Sequence, residues 1–315
     1  MVRCGSCHPC PAAEAVCLLQ GFGSRAGLHC LRIFTIRPWI SKAHLAIYNR
    51  KVIKNIKMIV TSDLHDHEGG KLDIIGLGPG DPMWMAPVAR DSIASSDVIV
   101  GYKTYIDLIS PILDPAKEVL ASGMRQEVER CRAAADLAIS GKRVAMVCSG
   151  DPGIYGLAGL VLQILKGHPA GTRVEVDIIP GISALNACSS RLGAPLAHDF
   201  AVISLSDILT PWDIIVKRLH AAGQADFVVV IYNPRSRRRV TQLEEAVKIL
   251  KEYREIFTPV GIVQRAMRQG ESVKITTLSD LASQDIDMQT TIIVGNSQTF
   301  VWQDRMITPR GYIIP

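Results

Sequence analysis

From Lys71 onward, short apolar runs rich in β-branched residues alternate with longer amphipathic segments, the pattern of a mostly parallel sheet whose strands are joined by helices. The first half predicts strands over 72–75, 97–100, 118–120, 143–148 and 174–178, with helices over 83–94, 102–109, 124–140 and 154–166. Gly141 and Gly167 stand where helices stop. A helix over 183–191 runs into Leu192-Gly193-Ala194-Pro195-Leu196, which interrupts the pattern and marks a domain junction near residue 196. Beyond it the spacing predicts strands over 200–205, 226–232, 259–264, 272–276 and 290–294, with helices over 212–222 and 240–253. Gln269-Gly270 separates two strand-like runs as a hairpin turn does, so the second sheet should be mixed. The expected architecture is α/β, with an N-terminal α/β domain over 71–196, a C-terminal α/β domain over 197–315 and no residue-level repeat between them.

Composition changes this picture mainly ahead of residue 71. The chain has 315 residues, 48% of them hydrophobic, enough for two cores. No run approaches the roughly 18 uninterrupted apolar residues of a membrane-spanning helix, so no membrane partner is expected. The net charge of +5 lies wholly in residues 1–70, because residues 71–315 carry equal numbers of basic and acidic side chains. A neutral body whose few aromatics are not interleaved with basic residues argues against nucleic acid as a partner. Cys131, Cys148 and Cys188 are scattered singly through apolar segments and read as small buried hydrophobes in a reducing compartment, hence a cytoplasmic protein. Cys4, Cys7, Cys10, Cys17 and Cys30 crowd the basic leader. Cys4-x-x-Cys7-x-x-Cys10 begins like an iron–sulfur run but meets Glu14 where a fourth cysteine belongs, and His8 with Cys17 could complete a zinc site instead. The reading taken here is an unstructured leader without metal; a transit-like segment, or a true start near Met58, are the alternatives.

Two strand ends carry the candidate chemistry. The strand 72–75 empties into Gly76-Leu77-Gly78-Pro79-Gly80-Asp81-Pro82, which looks like a dinucleotide-binding loop and fails as one. Asp81 stands where the third glycine belongs, and Pro79 and Pro82 delete backbone donors that a phosphate would use. The loop therefore suits a ligand with cationic and hydroxyl groups, such as a sulfonium nucleoside. The strand 143–148 ends likewise in Ser149-Gly150-Asp151-Pro152-Gly153-Ile154-Tyr155-Gly156. Ligands of open α/β sheets sit outside the carboxyl ends of strands, so both loops can face one crevice.

These segments resemble the tetrapyrrole methylase family in a GxGPGD loop (Gly76–Asp81), a GDPxxY segment (Gly150–Tyr155), Pro180-Gly181-Ile182-Ser183-Ala184 and Tyr232-Asn233-Pro234, in the family's order and spacing. The resemblance covers about residues 71–311, and the segments Ser204–Trp212 and Tyr232–Arg239 look like the branch of the family that methylates C17 of precorrin-3B or cobalt-factor III. It implies S-adenosylmethionine as methyl donor, a ligand crevice between two domains, contraction of the macrocycle, and a homodimer. It also places Pro79, Gly150, Asp151, Ile154, Ser183, Ala184, Asn233 and Gly261 around the donor. Another precorrin or uroporphyrinogen methyltransferase, diphthine synthase, or a binding module without turnover are the competing readings.

Physical chemistry gives several of these residues two uses. The Asp151 carboxylate can accept from ribose hydroxyls or an ammonium group, or can close an Asx turn. Ser183 can contact the donor, cap the following helix, or both. Arg235, Arg237, Arg238 and Arg239 follow the strand end at Pro234 and suit the carboxylates of a tetrapyrrole, or form a solvated first helical turn. Methyl transfer by displacement depends chiefly on alignment, so no triad is needed. Other family members have an aspartate near position 102, where this chain has Tyr102. Asp81, Tyr102 and Lys103 are therefore the candidates for the proton transfers of ring contraction.

Overall fold

The computed structural model describes residues 70–313. The basic leader, its cysteines and Met58 lie outside that range. The first half runs β1 (Lys71–Gly76), α1 (Pro87–Ser95), β2 (Val98–Tyr102), α2 (Lys103–Ile109), β3 (Glu118–Ser122), α3 (Glu127–Ile139), β4 (Arg143–Cys148), α4 (Ala158–Lys166) and β5 (Glu175–Ile179). These strands form one sheet in the order β3-β2-β4-β1-β5, parallel throughout. Leu72, Ile74, Val98, Val100, Val144 and Met146 face α3 and α4, while Ile75, Ile99, Ala145 and Val147 face α1 and α2. Burial on both faces explains why the central strands β1, β2 and β4 read as nearly continuous apolar runs, whereas the edge strands β3 and β5 are largely exposed.

The chain continues through α5 (Ala184–Leu192), β6 (Gly193–Ala194), β7 (Phe200–Ser204), α6 (Trp212–Gln224), β8 (Val228–Tyr232), α7 (Gln242–Leu250), β9 (Pro259–Gln264), β10 (Ser272–Thr277), β11 (Thr290–Val294), β12 (Phe300–Trp302) and β13 (Arg305–Ile307). The second sheet has the order β10-β9-β11-β8-β7 and is mixed: β7 and β8 are parallel, the other pairs antiparallel. The turn through Gln269-Gly270 joins β9 to β10 as the sequence predicts. Ile203, Val229, Ile231, Val260, Ile262, Ile292 and Val294 form a core with residues of α6 and α7. On the opposite face Val228, Val230, Val263 and Ile293 pack against Leu185, Cys188 and Leu192 of α5 and Met306 of β13. Thus α5, which precedes the expected junction near 196, lies on the second sheet.

The elements differ from expectation where local chemistry overrides periodicity. The helix expected over 83–94 is split into a single 3-10 turn, Pro82–Trp84, and α1. Pro87 disfavours helical geometry in the residue before it, and Ala86 is accordingly extended (φ −60°, ψ 140°). The helix expected from 154 begins at Ala158, since the chain first folds back so that the Ala158 N–H reaches the Pro152 carbonyl at 3.1 Å. The three-stranded sheet β12-β13-β6 was not anticipated, because strands of two or three residues are too short to show a period. Among the described residues, no helix is long and apolar enough to cross a membrane.

Candidate active site

Three loops at the carboxyl edge of the first sheet are tied together through their backbones. Gly78 and Gly150 exchange N–H···O bonds of 3.1 and 2.8 Å, joining the loops after β1 and β4. The loop after β5 comes closer still, for a Cβ on Gly181 would lie 2.2 Å from the Gly150 carbonyl oxygen. Gly150 has φ +67°, a conformation that side chains rarely adopt, and a Cβ there would sit 3.7 Å from the Ser183 Cα and 3.8 Å from the Ala184 nitrogen. The geometry thus brings Pro79, Gly150, Asp151, Ser183 and Ala184 into one neighbourhood.

Within it Asp151 acts as a tie. Its Oδ1 accepts from the Gly153 N–H at 2.8 Å, the Asx turn, and its Oδ2 accepts from the Gly181 N–H at 3.1 Å. Ser183 is buried and caps α5, its Oγ accepting from the Asn186 N–H at 3.3 Å and donating to Asn186 Oδ1 at 2.7 Å. The Leu185 N–H donates to the Tyr232 hydroxyl at 2.7 Å. Burial pushes the Tyr232 phenol above its ordinary value, against the opposing effect of that bond. Among the described residues no acceptor takes the Ser183 or the Ala184 N–H, which are left as free donors of this helix N-terminus.

The second half closes on these loops through side chains. The Tyr155 hydroxyl donates to the Val202 carbonyl at 3.0 Å and accepts from the Ser204 N–H at 3.1 Å, pinning the exposed Ile154-Tyr155 turn to β7. Its ring lies 5.3 Å from that of Tyr232. Asn233 (φ +52°) donates from Nδ2 to Ser204 Oγ at 3.0 Å. Gly261 sits elsewhere, mid-strand in β9 and against Leu192 at the far end of α5, whose Cδ1 lies 2.3 Å from where a Cβ would be. Arg268, in the turn between β9 and β10, donates from Nε to the Pro79 carbonyl and from Nη2 to Ser149 Oγ at 2.7 Å. It clamps both glycine-rich loops, yet nothing in its sequence neighbourhood marks it.

A cavity of about 640 Å³ opens beside this clamp, lined by Gly80, Asp81, Leu108, Arg191, Arg265 and Arg268 among others. Asp81 is exposed and its Oδ1 accepts from the Met83 N–H at 2.8 Å, capping the 3-10 turn. Tyr102 and Lys103 do not line the cavity. The Tyr102 ring packs edge-on to Tyr105 at 5.1 Å, with the buried Arg130 guanidinium 6.0 Å from its centroid, and Lys103 is exposed at the start of α2. The four arginines after Pro234 divide. Arg235 pairs with Glu244, and Arg239 is buried with its Nε donating to the Asn233 carbonyl at 3.1 Å, whereas Arg237 and Arg238 are exposed. Burial also raises the thiols of Cys131 to about 12 and of Cys148 and Cys188 to about 11, as inert apolar side chains require.

Comparison with known proteins agrees with this geometry. Residues 71–282 match the family model Tetrapyrrole (Corrin/Porphyrin) Methylases. The chain is 52% identical over 245 residues to the cobalt-factor III methyltransferase of Priestia megaterium, covering 77% of this chain and 45% of that protein, so it spans about half of that relative's length. It is 47% identical to the probable cobalt-factor III C(17)-methyltransferase of Salmonella typhimurium, covering 77% of this chain and 100% of that one. The crystal structure of the methyltransferase CobJ superposes with a TM-score of 0.73 at 34% identity, over 76% of this chain and 100% of CobJ.

Proposed function

Because the chain belongs to the tetrapyrrole (corrin/porphyrin) methylase family, we propose that it transfers a methyl group from S-adenosylmethionine to C17 of a tetrapyrrole at the precorrin-3B or cobalt-factor III stage of cobalamin biosynthesis, with contraction of the ring. The observation that carries this reading is the interlock of the Gly76–Asp81, Gly150–Tyr155 and Pro180–Ala184 segments at the N-terminus of α5. Among the described residues they leave an unbonded N–H at Ala184, which can meet an acceptor atom of the donor nucleoside.

Bound there, S-adenosylmethionine supplies an electrophilic methyl group on sulfur. The work of the protein is then alignment. Pro79, Gly150, Ser183 and Ala184 form the wall against which the donor is held, and the lone pairs of Asp151 not used by Gly153 and Gly181 face donor hydroxyl or ammonium groups. Ile154 and Asn233 close the site from the Tyr155 side. Gly261 serves it through α5, by letting Leu192 seat on β9. Asp81, which lines the cavity, is the best placed of the proton-transfer candidates; Tyr102 and Lys103 lie outside that lining, at the junction of β2 and α2. Arg237 and Arg238 are free to meet substrate carboxylates, while Arg235 and Arg239 shape the loop. A homodimer in the cytoplasm completes the proposal.

Mass analysis of products formed from cobalt-free and cobalt-bearing substrates, under air and without it, tests the reading. One added methyl group at C17 of a contracted ring is expected from at least one substrate. Methylation at another carbon, or no tetrapyrrole product at all, overturns it.

A further inference from the structure

Arg268 differs from the other arginines that line the cavity. Arg191 donates Nε to Glu271 at 3.0 Å, and Arg265 lies 3.4 Å from Asp287 through Nη2, so both charges are met by carboxylates of the chain. The partners of Arg268 are neutral: the Pro79 carbonyl and the Ser149 hydroxyl. Among the described residues no carboxylate comes within ion-pair distance of it. Burial accordingly holds its guanidinium below the ordinary arginine value, with only the Tyr105 phenol opposing the shift. A partly buried cation with neutral partners is costly, and an anion arriving on its open side offsets that cost. That side is the cavity of about 640 Å³. Asp81 and Glu271 on the same wall carry negative charge, so the attraction for an anion rests on Arg268.

Resting on the methylase reading, we propose that this cavity receives a side-chain carboxylate of the tetrapyrrole, with Arg268 as its receptor. A guanidinium can hold a carboxylate on one edge while keeping its bonds to a carbonyl and a hydroxyl on the others. Arg268 therefore joins the substrate carboxylate to Pro79 and Ser149, the two loops of the donor site, and sets the macrocycle's position relative to them.

The test uses uroporphyrin, a porphyrin with eight carboxylates, titrated by absorbance into the full chain and into Arg268→Gln and Arg268→Lys at low and physiological ionic strength. S-adenosylhomocysteine affinity is followed in parallel by calorimetry. Arg268→Gln is expected to weaken uroporphyrin binding by about tenfold or more, as loss of a charge-assisted hydrogen bond does, and to flatten its salt dependence. Arg268→Lys should keep the salt dependence, which also guards against a variant that merely folds poorly. If Arg268→Gln shows the same salt dependence as the unaltered chain, Arg268 is a loop clamp and the subsite is refuted. If the unaltered chain binds S-adenosylhomocysteine but not uroporphyrin, the tetrapyrrole reading fails and this inference with it.

Discussion

Replacing Asp151 with alanine strips the acceptor from two backbone N–H groups, those of Gly153 and Gly181, and so unties the loop after β4 from the loop after β5. Such a loss is expected to cost about 1–3 kcal/mol of stability, read from the midpoint of chemical denaturation. The same variant separates the two uses of the carboxylate. If it also takes donor hydroxyls, S-adenosylhomocysteine binds more weakly by calorimetry, whereas reduced stability with unaltered affinity confines Asp151 to holding the loops. The thiols give a second residue-scale expectation. Cys131, Cys148 and Cys188 are buried, with pKa values of about 12, 11 and 11, so iodoacetamide at neutral pH should label none of them until denaturant is added. Labelling of the folded chain at any of the three, mapped by peptide mass, contradicts that. The Asx turn of Asp151 and the cap of Ser183 could be read from sequence because those partners are two and three residues away, whereas the tie from Asp151 to Gly181 spans 30 residues and could not. Arg268 could not, since it meets Pro79 across 189 residues of chain and its own turn looks like any solvated hairpin.

Helix α5 shows at the scale of elements what periodicity reveals and what it hides. Its extent and its serine cap follow from the local pattern, but the side on which it packs does not. Leu185, Cys188 and Leu192 rest on the second sheet because Gly261 leaves room in β9 for the Leu192 side chain. Gly261→Ala would put a Cβ 2.3 Å from Leu192 Cδ1, 2.7 Å from Cδ2 and 3.0 Å from Cγ, in a side chain that is fully buried. Overpacking of this kind is expected to cost about 1–3 kcal/mol, seen as a lower melting temperature. A variant that melts normally yet binds S-adenosylhomocysteine poorly would show instead that Gly261 touches the donor. Strands of the two larger sheets were legible to within about two residues, most plainly where a run such as β4, β8 or β11 is buried on both faces and leaves an unbroken apolar signal. The helix starts at Pro87 and Ala158 were not, because a proline and a folded-back turn decide them within a still amphipathic stretch.

For the whole molecule the two sheets are laced together more tightly than a two-domain reading of the sequence suggests. Helix α5 crosses to the second sheet, Tyr155 bonds to β7, and Arg268 reaches back to the loops of β1 and β4. Each tie has one end in each half of residues 70–313, and several of them are the same groups that shape the site. Unfolding one sheet would therefore strip α5 of its apolar partners and free Arg268 at once, so the two should melt in a single calorimetric transition. A donor analogue held between them must stabilise both. At S-adenosylhomocysteine concentrations 100 times its Kd the stabilisation is about 2.7 kcal/mol, which for a unit of this size raises the melting temperature by about 5–11 °C. Two resolved transitions, only one of which moves with S-adenosylhomocysteine, would place the ligand within a single half and break the link between the interlock and the site.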